Sequence, residues 1–516
     1  MANPDLILHN GVIYSQVRKG SAVQALAIWN GRITDVGTDH TILRLRARSV
    51  KELDLQGRTV IPGLIDSHIH LLGYGMTSKN LDLGDSKSIG AIKRAVKRRA
   101  SRTDSKKWIV GRGWDQERLS EHRPPVRGDL DFTSSPVFLK RVCGHVAVAN
   151  SAALALAMVD EKTPNPAGGV IEKDEANRLT GVLKEGALAL VQQAVPRNET
   201  DIESALVSAA RRLLRLGLTS LHCIIEDALE LKVLKRLSAE GRVKQSIYAV
   251  LPIELLAKAS SLGLATEKSG GSFRVGGVKV FLDGSLGART AALREPYSDS
   301  PTSGMLTMER GEFDHAAGEA VAAGFQLSIH AIGDKAVEQA LGVLAKSNRA
   351  TASRRLRHRI EHVSLVPPSL LSKMRKYGVL ASVQPPFIYT DYWAAERLGQ
   401  TRLSSLYPFR SMLDLGVRVA AGSDCPAAPS DPLLGVWSAV ARPGLPSPER
   451  LTVSEALSLY AEGSAFASFS ENREGSLEPG KQANLVILDR DLFQCPTVNL
   501  RNVRAMRTMI DGEFVA

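Results

Sequence analysis

The chain has 516 residues, 44% of them hydrophobic, and carries a formal net charge of +12. That length exceeds one simple compact core and leaves room for two or three units. No run of about eighteen apolar residues occurs, so a membrane-spanning helix is not expected, and the N-terminus lacks the basic head and apolar block of an export signal.

From residue 5 to 59, short strand-like runs alternate with turns, and Asn10-Gly11 and Asn30-Gly31 read as hairpin turns. Val60 to Gly73 reads VIPGLIDSHIHLLG, an apolar run that ends in His-x-His. Residues 75–198 are too many for a loop and read as an inserted subdomain with strands of its own, KWIVGRGW and PVFLKRVCG. Its basic run KRAVKRRASRTDSKK (93–107) reads as a solvated helix face. No aromatics interleave with the charges, which argues against nucleic acid as the primary partner.

Seven more strand-like runs follow: LTSLHC (218–223), QSIYAVL (245–251), GGVKVFLDG (276–284), FQLSIHA (325–331), HRIEHV (358–363), VLASVQP (379–385) and VRVAAGSD (417–424). Helical runs separate most of them. In ETDIESALVSAARRLLRLG, Thr200 and Glu203 read as a capping box and Gly217 as the stop; Thr452 and Glu455 repeat the device in LTVSEALSLYAEG. Counting the run at 60–70, eight strand–helix units specify an α/β protein with a (β/α)8 barrel of the TIM type. The C-terminal stretch has the strand-and-turn texture of the N-terminus, so the two ends are expected to form one small β-sandwich. The expected domains are 1–59 plus 470–516 (sandwich), 60–74 plus 199–469 (barrel) and 75–198 (insert, over the barrel mouth).

Alternate side chains of a strand share a face, so His68 and His70 point together, with Asp66 a step earlier. Lys279, His330, His362 and Asp424 stand at the ends of other barrel strands, where chemistry sits in this fold. Four imidazoles, an amine and a carboxylate at one rim point to divalent cations. A lysine aimed into a barrel is costly unless neutralised or paired. Carbamylation of Lys279 would make it an anionic bridging ligand; an ion pair with Asp283 is the alternative. Trp114, Asp115, His145, Arg289 and Gln384 are candidate substrate contacts. Core packing for Trp114 and a structural role for His145 stay open. His222 reads as a neighbour of the ligands, and Cys425 as a small buried filler.

PGLIDSHIH, GVKVFLDGSLGARTAAL, SIHAIGDKAV, HRIEHV, SVQPPF, AAGSDCP and GSLEPGKQANLVILD together resemble the amidohydrolase superfamily, in its YtcJ-like (amidohydrolase-3) branch. The likeness covers nearly the whole chain. It implies that His68, His70 and Asp424 hold one metal and that carbamylated Lys279 bridges to a second held by His330 and His362. It also implies Asp424 as general base toward a metal-activated hydroxide. Cys143 stands where that branch often has an acidic residue, and Asn484 where an aspartate is usual.

The function expected is metal-dependent hydrolysis of a C–N, amide-type bond, with one or two divalent ions, zinc foremost. The alternative is a mononuclear deaminase with Lys279 unmodified and a glutamate as proton shuttle. A small-molecule substrate is expected, with no membrane partner and a homodimer left open. Four scattered cysteines without a Cys-x-x-Cys pair suit a reduced, cytoplasmic setting.

Overall fold

Eight parallel strands run in chain order through one nearly closed sheet: β1 (Leu64–Ile69), β2 (Leu218–Ile224), β3 (Ser246–Pro252), β4 (Phe273–Phe281), β5 (Gln326–Ala331), β6 (Arg359–His362), β7 (Leu380–Val383) and β8 (Val419–Ala421). The computed structural model describes residues 4–17, 21–266, 271–347 and 355–516, so short stretches of the 1–59 and 199–469 segments lie outside the described residues. β1, β2, β5, β6, β7 and β8 are buried at every position, as parallel strands covered on both faces must be.

Polar groups fasten the seam between β1 and β8. Asp66 accepts from the Ser423 amide at 3.0 Å and from the Ser423 hydroxyl at 2.6 Å. The Asp424 amide donates to His68 O at 2.7 Å and the His70 amide to Cys425 O at 3.0 Å. Asp66 therefore joins the strands rather than facing the rim. Gly422 makes the approach possible, because a Cβ there would lie 2.4 Å from His68 N and 2.7 Å from Asp66 Oδ1. Gly422→Ala is expected to destabilise the fold by about 1–3 kcal/mol, the usual cost of overpacking, read as a lower denaturation midpoint.

The helix before β2 runs Glu199–Leu214, and its first turn is capped by Asn198, whose side chain accepts from the Asp201 amide at 2.7 Å. The Thr200–Glu203 capping box is thus not formed. Glu203 instead pairs with Arg236 and Arg242 at 2.7 and 2.6 Å. Gly217, at φ +83, turns the chain into β2 as expected. The Thr452–Glu455 box is present at the helix Val453–Ser458.

The expected continuous strand through 60–70 is two strands. Thr59–Pro62 belongs to a six-stranded sheet, and β1 starts after Gly63. That sheet takes its strands from both ends of the chain, in the order 513–514, 505–510, 485–488, 59–62, 12–16, 21–23. A four-stranded sheet, in the order 32–37, 25–29, 6–9, 51–54, shares one apolar core with it, including Leu8, Leu26, Val60 and Leu485. Asn30-Gly31 makes the expected hairpin, with both residues at positive φ. Asn10-Gly11 does not: Leu6–His9 and Val12–Gln16 enter different sheets, so this turn is a crossing between layers.

Between β1 and β2 the chain builds a separate six-stranded sheet, in the order 169–173, 179–185, 146–149, 137–141, 109–114, 81–82. The basic helix Ile89–Ala100 lays Ile92 and Val96 on its core and leaves Lys93, Arg94, Lys97, Arg98 and Arg99 exposed. Among the described residues no helix is long and apolar enough to cross a membrane.

Candidate metal centre

β1 delivers His68 and His70 to one face, and the segment after β8 swings Asp424 over them with its backbone at φ +55. Asp424 Oδ1 lies 3.4 Å from His68 Nε2 and 3.3 Å from His70 Nε2. Ligand-capable atoms of these three residues all fall within 4.8 Å of one another, a spacing that can hold a metal ion. His330 and His362 complete a cluster of rings, with centroids 4.4 Å apart and His362 4.9 Å from His68. Lys279 Nζ lies 3.3 Å from His68 Nε2.

Three of the imidazoles have one nitrogen occupied by a protein acceptor. His68 Nδ1 donates to Glu361 at 2.6 Å, His362 Nδ1 to Gln384 Oε1 at 2.7 Å, and His330 Nε2 to Gly284 O at 2.9 Å. Each therefore keeps a lone pair on the other nitrogen, the arrangement that metal-binding histidines use. Burial, with help from Lys279, pushes the His68 imidazole down to about 4, so it is neutral and able to ligate. Burial also pushes the His330 and His362 imidazoles down. It raises the Asp424 carboxyl as well, but there the His70 hydrogen bond and the neighbouring imidazoles outweigh it and hold the group below the carboxylate range.

Lys279 is 2% exposed and, among the described residues, has no carboxylate within 4.0 Å. Burial pushes its ammonium down to about 8. The ion pair with Asp283 is not formed. Asp283 accepts from the amides of Ala292, Ile332 and Gly333 at 2.9, 3.0 and 2.8 Å and ties the loops after β4 and β5 together. The donor set thus fits divalent cations: neutral imidazoles, an ionised carboxylate, and an amine that feels Glu361 and Asp424 but pairs with neither.

Glu361 was not legible as part of this centre. It is fully buried inside the barrel, pairs with Arg359 Nε at 2.7 Å and holds Ser328 as well as His68. Burial raises its carboxyl, and Arg359 and His68 outweigh this to hold it ionised. Glu361 and His362 are consecutive, so alternation puts them on opposite faces. His362 reaches the rim because its backbone turns to φ +74. Arg359 and Glu361, two residues apart in an otherwise buried strand, are the signal that could have found the pair.

Two chambers open on the cluster. The first, about 640 Å³, has Phe387, Tyr389, Trp393, Leu286 and Ile332 in its wall together with His330 and Asp424. The second, about 1090 Å³, includes His68, His70, Lys279, His330, His362 and Asp424. Arg112, Cys143 and His145, from the sheet between β1 and β2, line both. Asp115 lines the first chamber while paired with Arg141 at 2.7 Å. His145 bonds Glu185 at 2.7 Å; burial lowers its imidazole, but Glu185 outweighs that and lifts it to about 9. Trp114 is fully buried in the core of its own sheet and donates to Leu139 O at 2.9 Å. Arg289 lines neither chamber and binds Asp299 at 2.8 Å beside Glu117. Gln384 positions His362, as above. His222 lies within the barrel, its Nδ1 3.0 Å from Arg359 Nη1. Cys425 is buried, with its thiol pushed up by that burial.

A family model described as the Amidohydrolase family matches residues 51–516. The protein YtcJ of Bacillus subtilis (strain 168) is 32% identical over 532 residues, covering 99% of this chain and 99% of that protein. The N-substituted formamide deformylase of Arthrobacter pascens is 30% identical over 543 residues, covering 98% and 97%. The crystal structure of an uncharacterized metal-dependent hydrolase from Pyrococcus horikoshii aligns with a TM-score of 0.80 and 35% identity, over 96% of this chain and 99% of that one.

Proposed function

We propose that this chain, which belongs to the amidohydrolase family and is a metal-dependent hydrolase, cleaves a C–N, amide-type bond at the cluster around His68, His70 and Asp424. The observation that carries the reading is the set of three clustered imidazoles that each have one nitrogen taken by a protein acceptor, with the free Nε2 of His68 beside Asp424 and Lys279. That a relative at 30% identity is named for deformylating N-substituted formamides agrees with an amide substrate.

In this reading His68, His70 and Asp424 would hold one ion, and His330 and His362 would hold a second. Lys279, if carbamylated, would offer both an anionic ligand, which would account for a buried amine with no carboxylate within 4.0 Å. Nitrogen and oxygen donors in this mixture suit zinc. When bound, the ions supply Lewis acidity toward a carbonyl and lower the pKa of water. Asp424 Oδ1 faces the imidazoles, and the side chain still opens on both chambers. Its second oxygen takes the proton from water and passes it to the leaving nitrogen. The walls of the two chambers hold the parts of the substrate on either side of the bond and exclude bulk water.

The two terminal sheets, 1–59 plus 470–516, make a β-sandwich supporting the barrel, 60–74 plus 199–469. Residues 75–198 are an inserted subdomain over the mouth, a placement supported by Arg112, Cys143 and His145 in the chamber walls. Four unpaired cysteines agree with a reducing, cytoplasmic setting. A mononuclear deaminase needs a glutamate free to shuttle protons; Glu361 and Glu185 are each bound to a histidine, and Glu226, in the wall of the second chamber, is held by Arg197.

Metal analysis with an amide and ester panel, before and after chelation, tests this. Bound transition metal and chelator-sensitive amide hydrolysis are expected. Lys279→Ala is expected to lose most of its metal, and activity of the stripped native protein to return with metal plus bicarbonate. Full amide hydrolysis by metal-free protein would end the proposal, and full metal occupancy in Lys279→Ala would remove the bridging role.

A further inference from the structure

Arg112 and Lys140 are register partners on adjacent parallel strands, Ile109–Trp114 and Val137–Arg141, so their side chains leave the same face of that sheet. Both line the chamber that holds His68, Lys279 and Asp424. Among the described residues neither has a carboxylate within 4.0 Å. Arg112 gives one hydrogen bond, from Nη2 to Val142 O at 2.7 Å, and Lys140 one, to Gln192 Oε1 at 2.7 Å.

Four carboxylates stand close enough to be asked why they do not neutralise the pair. Asp424, which acts on Arg112 across the chamber, has its Oδ1 against His68 and His70 at 3.4 and 3.3 Å. Asp82, the register partner of Arg112 on its other side, turns to the Gly84 amide at 2.9 Å. Glu226 is held by Arg197 at 3.3 Å, and Asp115 is held by Arg141. Burial pushes the Lys140 ammonium down to about 8; Glu226 offsets this in part, and Arg112 and Arg197 add to it.

A partly buried guanidinium spends its five donors on carboxylates or phosphates where it can, and leaving them unpaired is costly. We propose that Arg112 and Lys140 bind a carboxylate on the substrate, so that this enzyme prefers amides bearing a carboxylate near the bond it breaks. The inference rests on the hydrolase reading above and adds the substrate class. The first chamber, with Phe387, Tyr389 and Trp393 in its wall, takes the apolar part.

The test uses the metal-loaded full chain and matched pairs that differ only in the carboxylate: N-formylphenylalanine against N-formylphenethylamine, and N-acetylphenylalanine against N-acetylphenethylamine. Both kcat/KM and calorimetric affinity are measured. The native enzyme is expected to favour the acid of each pair by about 10- to 100-fold, the range of one or two hydrogen bonds to a charged group. Arg112→Gln and Lys140→Gln are each expected to shrink that ratio at least about tenfold through KM, with metal content unaltered. Equal affinity of the native enzyme for acid and neutral amide, or a ratio unmoved by both substitutions, overturns the carboxylate site. Absence of turnover on every amide, with the acids still bound preferentially, overturns the hydrolase reading and leaves the anion site standing.

Discussion

Asp424→Asn is expected to lower kcat/KM by about 10²- to 10⁴-fold, the range for removing a positioned general base, while metal content stays near one native complement. The substitution is nearly isosteric. An asparagine carbonyl oxygen can still occupy the Oδ1 position, 3.3 and 3.4 Å from the two Nε2 atoms, so the ligand cluster keeps its shape. An amide cannot accept a proton from water at neutral pH. Rate and occupancy therefore separate in this variant, whereas Asp424→Ala removes the oxygen and is expected to lose both. The measurement is kcat/KM on any amide the native enzyme cleaves, paired with metal per chain. A near-native rate in Asp424→Asn would take Asp424 out of the proton transfer.

The rim residues were legible because barrel strands impose a strict rule. Side chains alternate, chemistry gathers where strands end, and His68, His70 and His330 obey both. What stayed hidden depends on distance across the fold. Asn10-Gly11 and Asn30-Gly31 are the same dipeptide, yet only the second joins paired strands, because residues 6–9 pair with 25–29 and 51–54 while residues 12–16 pair with 21–23 and 59–62 in another sheet. Arg289 follows β4, the position expected of a substrate-binding residue, but Asp299 and Glu117 claim it. Arg112 and Lys140 look like ordinary polar strand residues until the register sets them side by side. Glu361 was concealed by its neighbour: the eye stops at His362, and the left-handed turn that sends the two side chains to different places leaves no mark in the sequence.

Glu361 carries the second large prediction, because it serves two partners at once. It is the acceptor that fixes the His68 tautomer, and it is the one carboxylate paired with Arg359 inside the barrel among the described residues. Losing a carboxylate that orients a metal-binding histidine typically costs about 10- to 100-fold in metal affinity. Leaving a buried guanidinium without its counter-charge typically costs about 3–5 kcal/mol of stability. No other carboxylate pairs with Arg359 among the described residues: His222 lies at 3.0 Å, Ser328 Oγ at 3.4 Å and the Tyr248 ring at 5.9 Å, and Nη2 has no partner. Glu361→Gln is accordingly expected to bind metal more weakly and to unfold at lower denaturant. The double variant Arg359→Met with Glu361→Gln separates the effects. It removes the stranded charge, so most of the lost stability should return, but His68 still faces a weaker acceptor, so metal affinity should stay low. Recovery of both together would mean that Glu361 acts on the metal centre only by holding Arg359, and recovery of neither would place its main effect in packing.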